Sequence, residues 1–73
     1  MTKRTIIEVR LRELLIDVNM TQLELANRTG LRPATISKLA SNKLERVQLE
    51  HIARIMDELE ITDISKLFRV TRS

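Results

Sequence analysis

The chain has 73 residues, of which 42% are apolar and 32% charged, and it contains no cysteine. This length and composition predict one small globular domain over residues 1–73, whose core is so small that dimerisation would help to stabilise the fold. The absence of cysteine excludes disulfides, thiolate metal sites and a thiol nucleophile. The net charge of +3 suggests a polyanionic partner. The longest apolar run, Leu14 to Ile16, is too short for a signal peptide or membrane span, so we expect a cytoplasmic protein that does not insert into a membrane.

The positive charge is concentrated in one segment of the chain. Residues 28–46 carry five basic side chains against one acidic one, whereas residues 1–27 carry four against four and residues 47–73 four against five. The five are Arg28, Arg32, Lys38, Lys43 and Arg46. A charged run is often only a solvated face. Here the excess coincides with the turn motif described below, which favours a surface for binding a polyanion.

The first part of the chain predicts a helix, with a strand possible before it. Residues 1–4 are expected to be a mobile basic terminus. Residues 5–9, TIIEV, predict either a short β-strand or the beginning of the helix. An isolated strand would need a partner, most simply its own copy in a second subunit. Four apolar residues then recur at the spacing of one helix face over residues 10–19: Leu11, Leu14, Leu15 and Val18.

A second helix, predicted over residues 22–29, has a strong start signal. Thr21 and Glu24 form the capping box T-x-x-E. Met20 and Leu25 stand at the two positions of a hydrophobic staple. The beginning of this helix is therefore well defined by its own sequence.

Residues 21–39 as a whole have the pattern of two short helices joined by a tight turn. Ala26 permits a second helix to cross closely, and Gly30 permits the left-handed backbone that ends the first helix. Ile36 and Leu39 face back into the crossing. This spacing predicts a helix-turn-helix.

The run from Met20 to Lys43 resembles the Cro/CI-type (Xre-like) repressors, and the resemblance extends over about residues 8–68. It implies an all-α, compact bundle of four to five helices of the lambda-repressor type. A short β-strand at residues 5–9 could precede this bundle. The resemblance also implies sequence-specific binding to double-stranded operator DNA and regulation of transcription, frequently in phages, mobile elements and bacterial operons. One such domain makes too few contacts for tight specific binding, so we expect a homodimer on a near-palindromic operator. No cofactor or small-molecule effector is implied.

The resemblance also assigns the contacts with DNA. The base-reading positions are Arg32, Pro33, Ala34, Ser37 and Lys38. The phosphate-facing positions are Thr21, Gln22, Thr35, Ser41, Asn42, Lys43 and Arg46. For the loop residues among these, the alternative is an ordinary polar loop.

Three residues at the ends of the second helix of this motif bear on the comparison with the family. Pro33 suits the first helical position, because its missing N–H would have no partner there. Arg32 is then the cap residue although its side chain cannot accept a hydrogen bond; either the packed helix tolerates a weak cap, or Arg32 is placed there to contact DNA. Asn42 replaces the usual loop glycine of the family, and asparagine is the next best residue for a left-handed backbone.

The last third of the chain predicts two more helices after a connecting loop at residues 40–47. Five apolar residues define a helix over residues 48–59: Leu49, Ile52, Ala53, Met56 and Leu59. Its outward face is acidic, so we expect it to support the motif rather than touch phosphate. Thr62 or Asp63 caps a short final helix through Ile64, Leu67 and Phe68, and residues 69–73 form a frayed tail or basic arm, flexible from about 70 to 73.

The sequence offers no set of residues for catalysis or for a metal. His51 is the single histidine, and the lone glycine excludes a glycine-rich phosphate loop, so we expect no enzyme. Phe68 is the only aromatic residue, which favours duplex DNA over base-stacked single strands and makes Phe68 either a lid on the core or a dimer contact. Two alternatives stay open: an antitoxin or adaptor that binds protein, and a non-specific architectural DNA binder.

Overall fold

The computed structural model describes residues 4–72 and has four α-helices and one two-stranded antiparallel sheet. The elements in chain order are β1 (Thr5–Val9), α1 (Leu11–Asp17), α2 (Gln22–Thr29), α3 (Pro33–Ala40), α4 (Leu49–Glu58), a 3-10 turn (Ile64–Lys66) and β2 (Phe68–Arg72). The fold is mostly helical, as predicted. The description as all-α needs correction, because both ends of the described chain are strands.

One apolar core holds the four helices together. Its buried members come from every helix and from the segments that follow α2 and the 3-10 turn: Leu11, Leu15, Leu25, Ala26, Leu31, Ile36, Leu39, Ala40, Ile52, Ile55 and Leu67. Within residues 4–72 this core contains no buried polar or charged side chain. The fold therefore depends on removal of apolar surface from water rather than on buried polar networks.

The helix-turn-helix forms as its local signals predict. Thr21 Oγ1 accepts a hydrogen bond from the Glu24 N–H at 3.1 Å, and the Glu24 carboxylate accepts one from the Thr21 N–H at 3.3 Å. Gly30 ends α2 with a φ of +76°. Arg32 is the cap residue of α3 and makes no side-chain capping bond, and Pro33 is the first helical residue.

The ends of α1, α3 and α4 share another device, a left-handed residue that is not glycine. These residues are Asn19, Asn42 and Glu60, with φ of +54°, +59° and +56°. At α3, the Asn42 N–H donates to the Leu39 carbonyl at 3.2 Å and the Lys43 N–H to the Lys38 carbonyl at 3.0 Å. This is the hydrogen-bond pattern of a Schellman motif. The left-handed conformation predicted for Asn42 is confirmed.

Of the predictions for the end of the chain, the cap at Asp63 is confirmed, whereas the extension of the helix to Phe68 and the frayed tail are wrong. Helical structure ends with the 3-10 turn at Ile64–Lys66, which Asp63 caps through the Ser65 N–H at 2.9 Å. Residues 68–72 form β2 instead of continuing the helix and then fraying. Of the predicted mobile ends, residues 1–3 and 73 lie outside the described residues.

The predicted N-terminal strand is present, but its partner differs from the one expected. β1 pairs with β2 of the same chain, with Val9 opposite Phe68 and Ile7 opposite Val70. Val9 and Phe68 pack against the core, and Leu67 just before β2 is fully buried. The burial of Leu67 and Phe68 thus brings the chain end to β1. A second subunit is not needed to satisfy this side of the strand.

Three of the five residues predicted for the apolar stripe of α4, Ile52, Met56 and Leu59, contact the core, and Leu49 and Ala53 do not. Ile55, which the predicted stripe left out, is also buried. Leu49 is 81% exposed. Leu49 is the first residue of α4 and lies beyond the edge of the core. In α1, Val18 at the helix end is likewise 46% exposed.

The Asn42 side chain connects the loop after α3 to the sheet. Its Oδ1 accepts the Val9 N–H at 2.6 Å and its Nδ2 donates to the Val9 carbonyl at 3.2 Å. The amide of a side chain therefore pairs with one residue of β1 as a neighbouring strand would. We call this pair of bonds the Asn42 clamp.

Candidate nucleic-acid interface

Helix α3 has one face in the core and one face in solvent. Ile36, Leu39 and Ala40 are buried to 5% exposure or less. The five predicted base-reading residues are all exposed and lie together on the opposite side: Arg32, Pro33, Ala34, Ser37 and Lys38. Because the buried face is anchored on α2, the position of the exposed face is fixed by the core.

The exposed face of α3 begins with small residues and carries its cations at its two ends. Pro33 and Ala34 occupy the first two helical positions, between Arg32 at the cap and Lys38 in the last turn. A face of this shape can approach a groove floor closely along its first turn. The long polar side chains are left to reach outward from either end.

The basic residues of this chain fall into two electrostatic groups. Within residues 4–72, the four ion pairs are Arg10–Glu13, Arg69–Glu13, Arg28–Glu58 and Arg54–Glu50. None of these pairs involves Arg32, Lys38, Lys43 or Arg46, and all four of these residues are exposed. The cations on α3 and its following loop are therefore available to an external anion, while Arg10, Arg28, Arg54 and Arg69 pair with carboxylates of the same chain.

Two of the predicted phosphate-facing residues lie at the beginning of α2. Gln22 is the first helical residue and is half-buried, and Thr21 before it is exposed. The Thr21 oxygen accepts a hydrogen bond in the capping box, and its hydroxyl hydrogen can still be donated to a phosphate oxygen. The N–H groups of Gln22 and Leu23 have no partner within α2 and can meet an anion, whereas that of Glu24 donates to Thr21 Oγ1.

Thr35 lies between two shallow grooves that separate α3 from α4. One groove, of about 150 Å³, is lined by Thr35 and Arg46, and the other, of about 360 Å³, by Thr35 and Arg32. His51 of α4 lines both grooves, and Arg54 lines the second. The structure thus adds His51 and Arg54 to the surroundings of the predicted surface.

The sequence did not predict the position of His51 and Arg54, because the predicted stripe of α4 included the exposed Leu49 and Ala53 and left out the buried Ile55. Ile52 and Ile55 are the buried residues of α4, and His51 and Arg54 directly precede them. Because residues three apart lie on the same side of a helix, His51 and Arg54 share one side of α4. That side faces the grooves beside Thr35. The predicted acidic face is also less acidic than expected, because Glu58 pairs with Arg28 and Glu50 pairs with Arg54.

The comparisons with known proteins agree with this geometry. Residues 10–71 match the Cro/C1-type helix-turn-helix DNA-binding domain. The chain belongs to this family. It is also similar in structure to the transcriptional regulator VanUg, in its crystal form II, with a TM-score of 0.74 and 27% sequence identity over 94% of this chain and 89% of that one. No curated protein matches the sequence.

Membership of the Cro/C1-type family identifies the chain as a DNA-binding domain of the kind found in transcriptional regulators. The match from residue 10 to residue 71 includes all four helices and most of β2. None of the helices in the described chain is long and apolar enough to cross a membrane. Among residues 4–72, no three histidine, aspartate or glutamate side chains are grouped so that they could hold a metal ion.

Two of the predicted phosphate contacts have side chains that already make bonds within this family fold. The Ser41 hydroxyl donates to the Ser37 carbonyl at 2.9 Å, and the Asn42 amide forms the clamp on Val9. Lys43 and Arg46 are both exposed beyond them. Lys43 and Arg46 are therefore exposed in the loop after α3, where Arg46 lines a groove with Thr35, while Ser41 and Asn42 hold the loop.

Two carboxyl groups outside this surface, those of Glu13 and Asp63, have lowered pKa values. Hydrogen bonds from Arg69 and then Arg10 lower the pKa of the Glu13 carboxyl. Hydrogen bonds from the Ser65 side chain and N–H lower the pKa of Asp63. Both carboxyls belong to the part of the molecule that carries the sheet and the 3-10 turn.

Proposed function

We propose that this protein is a sequence-specific, double-stranded-DNA-binding transcriptional repressor that acts as a homodimer on a near-palindromic operator. The observation that carries the proposal is the exposed face of α3, with its cations outside the ion pairs of the described chain. A core-anchored helix with free positive charge beside it is suited to the major groove. The family membership and the similarity to VanUg support the same function.

Sequence would be read mainly at the two ends of α3. Lys38 donates to guanine O6 and N7, and Arg32 provides a planar fork that suits the same acceptors at the other end. Pro33 and Ala34 contact thymine methyl groups, and Ser37 bonds to more than one type of base. The expected operator therefore has its strongest base preferences at separate positions, with DNA shape contributing between them.

Phosphate contacts would hold α3 in register. The proposed residues are Thr21, Gln22, Thr35, Lys43 and Arg46. Each cation that neutralises a phosphate releases a counterion, so affinity should fall steeply with salt. We assign Ser41 and Asn42 to shaping the loop, since their side chains bond to the Ser37 and Val9 backbone.

A single domain of this size makes few base contacts, which is the reason for proposing a dimer. Two copies related by a two-fold axis place their α3 helices roughly 34 Å apart, one turn of B-DNA. The half-sites of the operator are then related by the same symmetry.

The test is selection of random duplex DNA by the purified protein, repeated with Lys38→Ala, Lys43→Ala and, as a matched control, Lys66→Ala in the 3-10 turn. We expect Lys38→Ala to relax one base position in each half-site, with a loss of about 1–3 kcal/mol against the preferred base. Lys43→Ala should weaken all sites alike and lower the magnitude of the salt slope by about 1 for each contact removed. Lys66→Ala should change neither quantity.

Each other outcome selects a different function. Binding at low salt without a recovered motif contradicts the repressor and indicates an architectural DNA binder. Absence of DNA binding by folded protein indicates an adaptor or antitoxin that retains the fold. A motif that Lys38→Ala leaves unchanged would place base reading elsewhere on the molecule.

A further inference from the structure

His51 lies at the boundary of the two grooves that separate α3 from α4. It lines the groove of about 150 Å³ together with Arg46, and the groove of about 360 Å³ together with Arg32 and Arg54. Among the described residues, Thr35 of α3 is the only other one that lines both grooves. The His51 side chain is half-buried, so it can present a different part of its ring to each groove.

The polar groups at this boundary remain available to a ligand. Within residues 4–72, neither the His51 ring nor the Thr35 hydroxyl makes a hydrogen bond. Arg54 donates through Nη2 to the Glu50 carboxylate at 2.8 Å, and its Nη1 lies 4.0 Å from where a Cβ on Gly30 would be. The guanidinium of Arg54 therefore reaches the turn before α3 and keeps donors for a second acceptor.

The charged side chains that line the two grooves beside His51 are all cations. The cap of α3, the loop after α3 and α4 each provide one: Arg32, Arg46 and Arg54. The turn after α2 adds no charge, and in the described chain no carboxylate lines either groove. Glu50, which directly precedes His51, is bonded to Arg54. Both grooves therefore favour an anion.

We propose that His51 binds two successive phosphates of one DNA strand, one in each groove, and does so as the imidazolium, so that DNA binding takes up a proton. A neutral imidazole has one donor nitrogen and one acceptor nitrogen, whereas the imidazolium donates from both. Phosphate oxygens only accept, so a ring placed between two phosphates needs both protons. The inference rests on the proposed function, because it requires the surface around α3 to lie on duplex DNA.

The other side chains of the grooves divide the two phosphates between them. Arg46 neutralises the phosphate in the smaller groove, and Arg54 neutralises the one in the larger groove. The Thr35 hydroxyl donates to either phosphate, and Arg32 at the border is left to the bases. Contacts with phosphate carry no sequence information. The proton should therefore affect binding to operator and to unrelated duplex DNA alike.

The uptake of a proton determines how affinity depends on pH. The complex holds one more proton at His51 than the free protein does, so affinity for DNA rises as pH falls and decreases as pH rises. Histidine is the side chain that ordinarily changes charge between about pH 5 and pH 8. His51 is the single histidine of the chain, and there is no cysteine. The other side chains therefore keep their charge over most of this range.

The experiment measures binding by fluorescence anisotropy between about pH 6 and pH 8 at constant salt. Two duplexes of equal length are used, one recovered by selection and one scrambled. The unaltered chain should bind both about tenfold more weakly at the upper pH for each His51 that takes up a proton. Lys66→Ala, which lies outside the grooves, should keep this pH dependence in full.

Two substitutions of His51 fix its charge in opposite senses. Over the same pH range His51→Gln is always neutral and His51→Arg is always positive, so the affinity of each should not depend on pH. His51→Arg should bind more tightly than His51→Gln, because it restores the charge. Circular dichroism of each variant tests that the fold is retained.

Nuclear magnetic resonance of the imidazole gives a second readout that a purely structural role of His51 would not change. The chain has one histidine, so the ring signals are assigned without ambiguity. The pH at which these signals change should move upward when either duplex is added to the unaltered chain.

Four results would overturn the role of His51. These are an affinity of the unaltered chain that does not depend on pH, a pH dependence that folded His51→Gln retains, imidazole signals whose titration DNA does not move, and a pH dependence confined to the selected duplex. Failure of the proposed function looks different. Selection without a motif removes the repressor, while the scrambled duplex still tests His51. A folded chain that binds neither duplex removes both.

Discussion

The helix-turn-helix and the two-stranded sheet are built in opposite ways. In α2 and α3 each boundary is set by residues a few positions away, through the capping box of Thr21, the left-handed Gly30 and the first-position Pro33. In the sheet, β1 and β2 join the two ends of the described chain. The helix-turn-helix is thus specified locally, whereas the sheet depends on contacts between residues that are distant in sequence.

The two regions also differ in what holds them. α2 and α3 bury five residues between them in the common core, including Leu25 and Ile36 at 0% exposure. The sheet contributes only the partly buried Val9 and Phe68 to the same core, and its outer half is exposed. An isolated two-stranded sheet is marginal in water, so this one depends on the Asn42 clamp and on the ion pair from Arg69 to Glu13.

The largest expected effect lies in the helix-turn-helix. Ile36→Ala should lower the free energy of unfolding by about 2–5 kcal/mol, because it removes a fully buried side chain and leaves a cavity. Val70→Ala, the matched truncation of a β-branched residue in the sheet, should change it by about 0.5 kcal/mol or less. Urea unfolding at low micromolar concentration measures both. Equal losses would mean that the sheet is as much a part of the core as α3.

The same contrast explains what the sequence could and could not predict. The bounds of α2, the start of α3 and the left-handed residues at 30 and 42 follow from signals within a few residues, and the structure confirms them. The family resemblance is confirmed by the match over residues 10–71. The roles of the base-reading and phosphate-facing residues stay predictions.

What the sequence failed to predict depends on distant parts of the chain. Nothing near residues 68–72 indicates that they meet β1, because their partner lies at the other end of the chain. The Asn42 clamp could not be predicted for the same reason, because Val9 is distant from Asn42 in sequence. The exposure of Leu49 in α4 was not predicted, because Leu49 fits a helical period equally well whether or not a core lies beside it.

The second expected effect concerns the connection between the two regions. Asn42→Ala should cost about 2 kcal/mol, because it removes both bonds to Val9 and places an alanine in the left-handed region. Asn42→Gly removes the same bonds without that strain and should cost about half as much. Thermal or urea unfolding of the two variants separates the clamp from the backbone conformation.

Hydrogen exchange tells whether this loss is local to the sheet. In both variants the Val9 amide should lose protection, while the Lys43 amide, which donates to the Lys38 carbonyl, should keep it in Asn42→Gly. A Val9 amide that stays protected without the Asn42 side chain would show that β1 does not need the clamp.

The smallest expected effect is the pH dependence of the sheet through Glu13. Arg69 and Arg10 lower the pKa of this carboxyl below its ordinary value of 4.5 in the folded chain. A lowered folded pKa means that the ionised form stabilises the fold above the unfolded pKa and that this stabilisation is lost as pH falls through the folded value. The loss should therefore occur below about pH 4.5 and be modest, since Glu13 is exposed.

Glu13→Gln tests this through the slope of stability against pH rather than its absolute value. The variant should flatten the acid limb of the curve measured by urea unfolding between about pH 5 and pH 2 and make the β2 amides exchange faster at neutral pH. Asp63→Asn is the matched control, because the pKa of Asp63 is also lowered but by Ser65 within the 3-10 turn. It should flatten the same limb without affecting β2 exchange. If Glu13→Gln leaves β2 exchange unchanged, the ion pair to Arg69 does not hold the sheet, and the burial of Leu67 and Phe68 with the Asn42 clamp suffices to join the chain ends.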